Sequence, residues 1–167
     1  MNELQRAALE LRILCSILTR LVGRDLEQRL QAYGQPISTL QYAILRMLSH
    51  QRYTISELSR KLLLAPATLV PSVDGLERHE LVARSHDPRD RRRTPLELTA
   101  RGSALLGDVP PVGDDDGLVC SLAAMGAEKH QLLLALVREL LEGMPESGGA
   151  AAEIAAMVAL QAEPGNA

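Results

Sequence analysis

Residues 84–93 hold five arginines, Arg84, Arg89, Arg91, Arg92 and Arg93, against two aspartates, Asp87 and Asp90, a net charge of +3 in ten positions. A thin tip this rich in guanidinium groups suits a polyanion, and the narrow minor groove of a DNA duplex carries a matching negative potential. Taken alone, the run reads equally well as a solvated charged turn. The other reactive groups are sparse. Cys15 and Cys120 are the only cysteines, far apart and without His or Cys at ligand spacing. They indicate two reduced thiols rather than a disulfide framework or a zinc site. His50, His79, His86 and His130 are scattered and read as surface or satisfied residues. No nucleophile–base pair, phosphate-cradling glycine loop or metal motif is present, so neither an enzyme, a metal nor a cofactor is expected.

The elements that must position the arginines can be read from periodicity and caps. Leu4, Ala8, Leu11, Cys15, Leu18 and Val22 recur at steps of four and three, the seam of a long helix packing on another helix. Ser38 with Gln41 forms a capping box, flanked by Ile37 and Tyr42 as a hydrophobic staple, and predicts a second helix over about 39–50. Thr54 with Glu57, and Tyr53 with Leu58, repeat both devices for a third helix to about 62, with Ile55, Leu58 and Leu62 inward. Pro66 opens a fourth helix whose inward face is Leu69, Val73 and Leu76. Residues 82–86 and 94–98 read as two strands around the basic tip, with Pro95 suited to an edge. Thr99 caps a fifth helix, which Pro110, Pro111, Gly113 and the aspartates at 114–116 interrupt, predicting a flexible elbow. Leu133, Leu136, Val137, Leu140, Leu141 and Met144 mark a further helix over roughly 127–143, and an Ala-rich segment a short one over about 150–160.

Composition agrees with a mainly helical chain. Of 167 residues 46% are hydrophobic, yet Phe and Trp are absent and Tyr occurs three times, so the core must be aliphatic. The net charge of −3 is unevenly spread: from Asp108 onward ten acidic residues face two basic ones, leaving the preceding part at +5. No signal-like or membrane-spanning pattern is evident, and a cytoplasmic protein without membrane contact is expected.

Helix two, helix three, a tight turn, helix four and a basic hairpin follow the order of a winged helix-turn-helix, in which helix four enters the major groove. At this point the sequence resembles the MarR family over about residues 4–144. The resemblance rests on Thr54-Ile55-Ser56-Glu57-Leu58, Pro66-Ala67-Thr68-Leu69 and Val73-Asp74-Gly75-Leu76-Glu77-Arg78. It rests above all on Asp87-Pro88-Arg89-Asp90-Arg91-Arg92-Arg93 with Leu98-Thr99-Ala100-Arg101-Gly102. It implies a homodimer joined through the first and last helices, with two recognition helices on a pseudo-palindromic site of double-stranded DNA. Carried over by position, Asp90 braces the wing, Arg92 enters the minor groove, and Arg91 and Arg93 lie near phosphates, with Arg89 counted among the DNA-binding residues.

Helix four departs from the family pattern. Ala65 stands where a Ser cap is common, Glu80 where a Gly often ends the helix, and Pro71 where many members carry a polar residue. Pro71 removes a helix hydrogen bond, but Thr68-Leu69-Val70-Pro71 resembles the organic-hydroperoxide branch, which accepts it. The groove-facing set is then Ala67, Thr68, Val70, Pro71 and Ser72, a surface that favours thymine methyl contacts over hydrogen bonds. For Thr68 and Ser72, bonding to the helix's own backbone is the competing role.

The same branch carries its reactive cysteine near the position of Cys15, making this residue a candidate redox sensor. Arg29 and Thr39, however, stand where that branch has supporting tyrosines; Tyr33 or Tyr42 could substitute, and inert packing on the seam is the alternative. The family also implies a small-molecule effector, in a pocket expected here to be Leu-, Met- and Ala-lined and suited to lipophilic compounds. The expected organisation is a dimerisation helix at 1–32, a DNA-binding region at 37–102, a helical dimerisation region at 103–145 and a partly flexible tail at 146–167. The expected function is sequence-specific transcriptional regulation, as a repressor, released by ligand or thiol oxidation. The competing function is a protein-interaction module on the same dimeric scaffold without specific DNA binding.

Overall fold

The computed structural model describes residues 1–85 and 93–144. The tip residues 86–92, including His86, Arg89, Asp90, Arg91 and Arg92, and the expected Ala-rich helix in the tail lie outside the described residues. The described elements are α1 (Glu3–Ala32), α2 (Thr39–Leu48), α3 (Ile55–Leu62), α4 (Pro66–Arg78), β1 (Val82–Arg84), β2 (Leu96–Leu98), α5 (Ala100–Asp108), α6 (Gly117–Met125) and α7 (Ala127–Glu142). This is a mainly α winged helix-turn-helix chain. It clusters into two compact units, Met1–Val119 and Cys120–Ala167.

Local chemistry explains the helix starts. Asn2 with Gln5, Ser38 with Gln41 and Thr54 with Glu57 each close a reciprocal capping box. Thr99 caps α5 by accepting from the Gly102 N–H. Helix α4 has no side-chain cap at Ala65 and begins instead with Pro66, whose missing N–H costs the first turn nothing. It ends with Glu80 in the left-handed region, φ 57°, where glycine is ordinarily favoured. Interior Pro71 removes one helix bond, yet the helix continues through it.

In the first unit the core is aliphatic: Leu30, Ile44, Leu45, Leu58, Leu69, Val73, Leu76, Leu96 and Val109 are fully buried. The inward face of α4 is as expected. On α3 only Leu58 is fully enclosed, whereas Ile55 and Leu62 remain half-buried, because so short a helix turns a narrow stripe inward. The strands pair antiparallel with Val82 opposite Leu98, Ala83 opposite Glu97 and Arg84 opposite Leu96. They are shorter than expected, although Ser85 N–H still donates to the Pro95 carbonyl at 2.8 Å. Leu96 also exchanges a bridge with Tyr53, which ties the hairpin base to the start of α3. Gly102 lets α5 approach β1: a Cβ there would collide with the Leu81 carbonyl oxygen and press on Leu98.

Two expectations need correction. Helix α6 was not legible, because its apolar GLVCSLAAM run shows little sidedness. The expected elbow is tied to α1: Arg29 donates to the Pro111 carbonyl and pairs with Asp116, and Asp25 accepts from the Gly117 N–H at the start of α6. Long apolar stretches of α1 stay uncovered in the single chain, among them Leu4, Leu11, Ile17 and Leu18. In the second unit, α7 likewise exposes Leu133, Leu136, Val137 and Leu140. No helix among the described residues is long and apolar enough to cross a membrane.

Candidate nucleic-acid interface

Helix α4 presents Ala67, Thr68, Val70 and Pro71 to solvent on the side opposite buried Leu69, Val73 and Leu76. Ser72 is half-buried, and its hydroxyl reaches the Thr68 carbonyl at 3.4 Å, the local backbone bond anticipated as its competing role. The candidate reading surface is therefore small and weakly polar.

Both sides of the wing base are held by ion pairs. Arg84, counted in the basic run, turns to α4: its Nη2 lies 2.7 Å from Asp74 and its Nε 2.8 Å from Glu77. These carboxylates hold the Arg84 guanidinium still more firmly protonated, the Glu77 hydrogen bond contributing most. Arg84 is thus neutralised locally and does not add to the free positive charge that the sequence count gives this run. Arg93, three residues before β2, pairs with Glu57 of α3 at 2.7 Å. The same Glu57 accepts from the Thr54 N–H at 2.7 Å, and its carboxyl is held below the ordinary range by the Thr54 backbone bond first and Arg93 thereafter. One carboxylate thus serves both the α3 cap and the wing base.

A second polar cluster joins α1, α2 and the connection after α5. The buried Tyr42 hydroxyl donates to the Val109 carbonyl at 2.7 Å and accepts from Arg46 Nε at 3.0 Å. Burial pushes its phenol pKa upward, against the opposing pull of Arg46. Arg29 and Asp116 are 10% and 8% exposed, so their 2.8 Å pair is largely withdrawn from water. The Arg29 hydrogen bond, with the Leu118 and Val119 amides, holds the Asp116 carboxyl below its ordinary value. A cavity of about 730 Å³ lies beside this pair, lined by Asp25, Gln28, Arg29, Tyr33, Asp114 and Asp115 among others. Its lining mixes these charged groups with Ala32, Pro110 and Val112, and so differs from the Leu-, Met- and Ala-lined pocket expected for an effector. The sequence hides this cluster because Arg29 and Asp116 are 87 positions apart and neither belongs to a local motif.

Cys15 is exposed rather than packed within the single chain, and Tyr42 cannot serve it there, since its hydroxyl is committed to Val109 and Arg46. His130 Nδ1 is buried without a hydrogen-bond partner among the described residues, unlike the satisfied or surface histidine expected. Among the described residues, no group of three His, Cys, Asp or Glu side chains could hold a metal ion.

Comparison with known proteins places this geometry. Residues 37–94, α2 through the wing, match the MarR family. The HTH-type transcriptional regulator MhqR of Bacillus subtilis (strain 168) is 30% identical over 105 residues, 62% of this chain and 71% of that protein. The HTH-type transcriptional repressor NicR of Pseudomonas putida is 29% identical over 119 residues, 71% of this chain and 75% of that protein. A MarR family protein from Bacillus stearothermophilus superposes with a TM-score of 0.61 at 29% identity, over 84% of this chain and 95% of that one. With its capped helix-turn-helix, its hairpin anchored to both helices and these relatives, the chain belongs to the MarR family of winged helix-turn-helix transcriptional regulators.

Proposed function

We propose that the protein is a sequence-specific DNA-binding repressor that acts as a homodimer on a pseudo-palindromic operator. The observation that carries this reading is the solvent-facing surface of α4, set beside a wing whose base is anchored to α3 by Arg93–Glu57 and to α4 by Arg84–Asp74. Ala67, Thr68, Val70 and Pro71 read the major groove, mostly through methyl contacts, and Ser72 contributes less, with its hydroxyl turned to the helix. Arg92 enters the minor groove, Arg89 and Arg91 contact the backbone, Asp90 braces the tip, and Arg93 mainly holds the wing base. The uncovered apolar residues of α1 and α7 support dimerisation, because solitary chains rarely leave such long apolar faces in water. The name of NicR supports repression as the direction of control.

For release from DNA, the cavity beside Arg29 supports a small ligand, and its mixed lining shifts the expected ligand class away from purely lipophilic compounds. Oxidation of Cys15 is the other route, supported by the exposure of the thiol in the single chain. The test of DNA binding is a salt titration with a duplex pool, run beside Arg92→Ala. A phosphate-contacting dimer loses affinity steeply as salt rises, and Arg92→Ala weakens it further. Salt-independent binding, or an indifferent Arg92→Ala, would favour a protein-interaction module.

A further inference from the structure

Gln41 does two things at once. As the third residue of α2, it accepts the Ser38 N–H through Oε1 at 2.9 Å and so closes the capping box. Its Nε2 then donates to the Ser72 carbonyl of α4 at 3.1 Å. Gly75, one turn further along α4, makes room for this: a Cβ there would stand 2.5 Å from Gln41 Nε2. The capping amide of α2 is therefore seated on the backbone of α4, directly after Pro71, whose missing N–H leaves α4 one internal hydrogen bond short.

We propose that Gln41 and Gly75 form a seat that sets the pose of α4 and thereby which bases the protein prefers, with Gln41 as a positioning residue for DNA recognition. The inference rests on the reading of α4 as the recognition helix. Its chemistry is selective. A capping box accepts Glu or Gln at this position, but only the amide can also donate to Ser72. A glutamate would keep the cap and set a carboxylate oxygen against the Ser72 carbonyl, repelling α4 at that point. The seat lies beside Pro71 and Ser72 and one turn from Thr68, so a small shift there moves the residues assigned to base reading.

The experiment compares the full-length wild type, Gln41→Glu and Gly75→Ala by selection from random duplex DNA, specific and non-specific affinity, and thermal melting. Gln41→Glu should reduce affinity for the wild-type site roughly tenfold, the cost of returning a displaced α4 to the wild-type pose on binding, and alter the recovered consensus. Its non-specific affinity and salt dependence should stay near wild type, because no phosphate contact changes. Gly75→Ala is the second arm. Alanine favours the helix over glycine, which offsets a loosened Ser38 cap, so its melting temperature should move by only a few degrees while the displaced Gln41 amide produces the same change in preference without loss of non-specific affinity. If both variants recover the wild-type consensus at wild-type affinity, the proposal is overturned and the function stands. If specific and non-specific affinity fall together with the melting temperature, Gln41 is merely structural and the proposal fails. A folded wild type that enriches no site removes the DNA reading itself, and the inference with it.

Discussion

Glu57 holds Arg93 through one carboxylate oxygen and the Thr54 amide through the other, each at 2.7 Å. The cap of α3 and the base of the wing therefore share a single side chain. Glu57→Gln separates the two roles, because glutamine still closes a capping box but no longer neutralises Arg93. The variant should melt close to wild type, since so exposed a pair contributes only about 0.5 kcal/mol. Its DNA binding should depend more steeply on salt, by about one further released counterion. An unchanged salt slope would show that loss of the Glu57 charge does not bring Arg93 to phosphate.

Tyr42→Phe removes a buried hydroxyl and leaves the Val109 carbonyl and Arg46 without it. A loss of about 1–2 kcal/mol is expected, lowering the melting temperature by roughly 3–6 °C. The phenol pKa is raised in the folded state. Stability from keeping it neutral is complete below the unfolded value of about 10 and fades as pH rises through the folded value. Alkaline melting curves should show this decline in the wild type and less of it in Tyr42→Phe; identical alkaline slopes would contradict the assignment.

The Arg29–Asp116 pair makes the opposite prediction. The Asp116 carboxyl is lowered, so its contribution is complete above the unfolded value of about 4 and disappears as pH falls through the lower folded value. Asp116→Asn should cost about 2–3 kcal/mol at neutral pH by stranding a largely buried guanidinium, and should flatten the acid limb of stability. Denaturant titrations at pH 7 and in the acid range measure both effects.

Glu80 holds a left-handed backbone at the end of α4, and among the described residues its side chain pairs with Arg101 in an exposed contact. Glu80→Gly should therefore raise stability, by about 0.5–1 kcal/mol, because relieved strain outweighs the weak ion pair. A lower melting temperature would mean that the pair, or the entropy of the unfolded glycine chain, matters more.

Where the chain signals locally, the sequence was a reliable guide. Ser38/Gln41, Thr54/Glu57 and Thr99 announce helix starts through side chains three positions apart, and the structure places a helix behind each. The candidate interface on α4 was legible for the same reason, since Leu69, Val73 and Leu76 define its inner face and leave Ala67, Thr68 and Pro71 outside. What stayed hidden depends on distant partners. Arg84 counts as a wing charge until Asp74 and Glu77 are seen to hold it. Gln41 looks like a cap residue alone until Ser72 is seen beneath its amide. Helix α6 has no polar face to give it a period, and the connection before it owes its anchoring to Arg29, far back on α1.

The most direct test of the central claim is selection of random duplex DNA by the purified wild-type protein in reducing, ligand-free buffer, followed by sequencing. The expected result is an inverted repeat with half-sites about one helical turn apart, as two symmetric recognition helices require. A folded dimer that enriches no sequence, or one that enriches a single asymmetric site, would contradict the account.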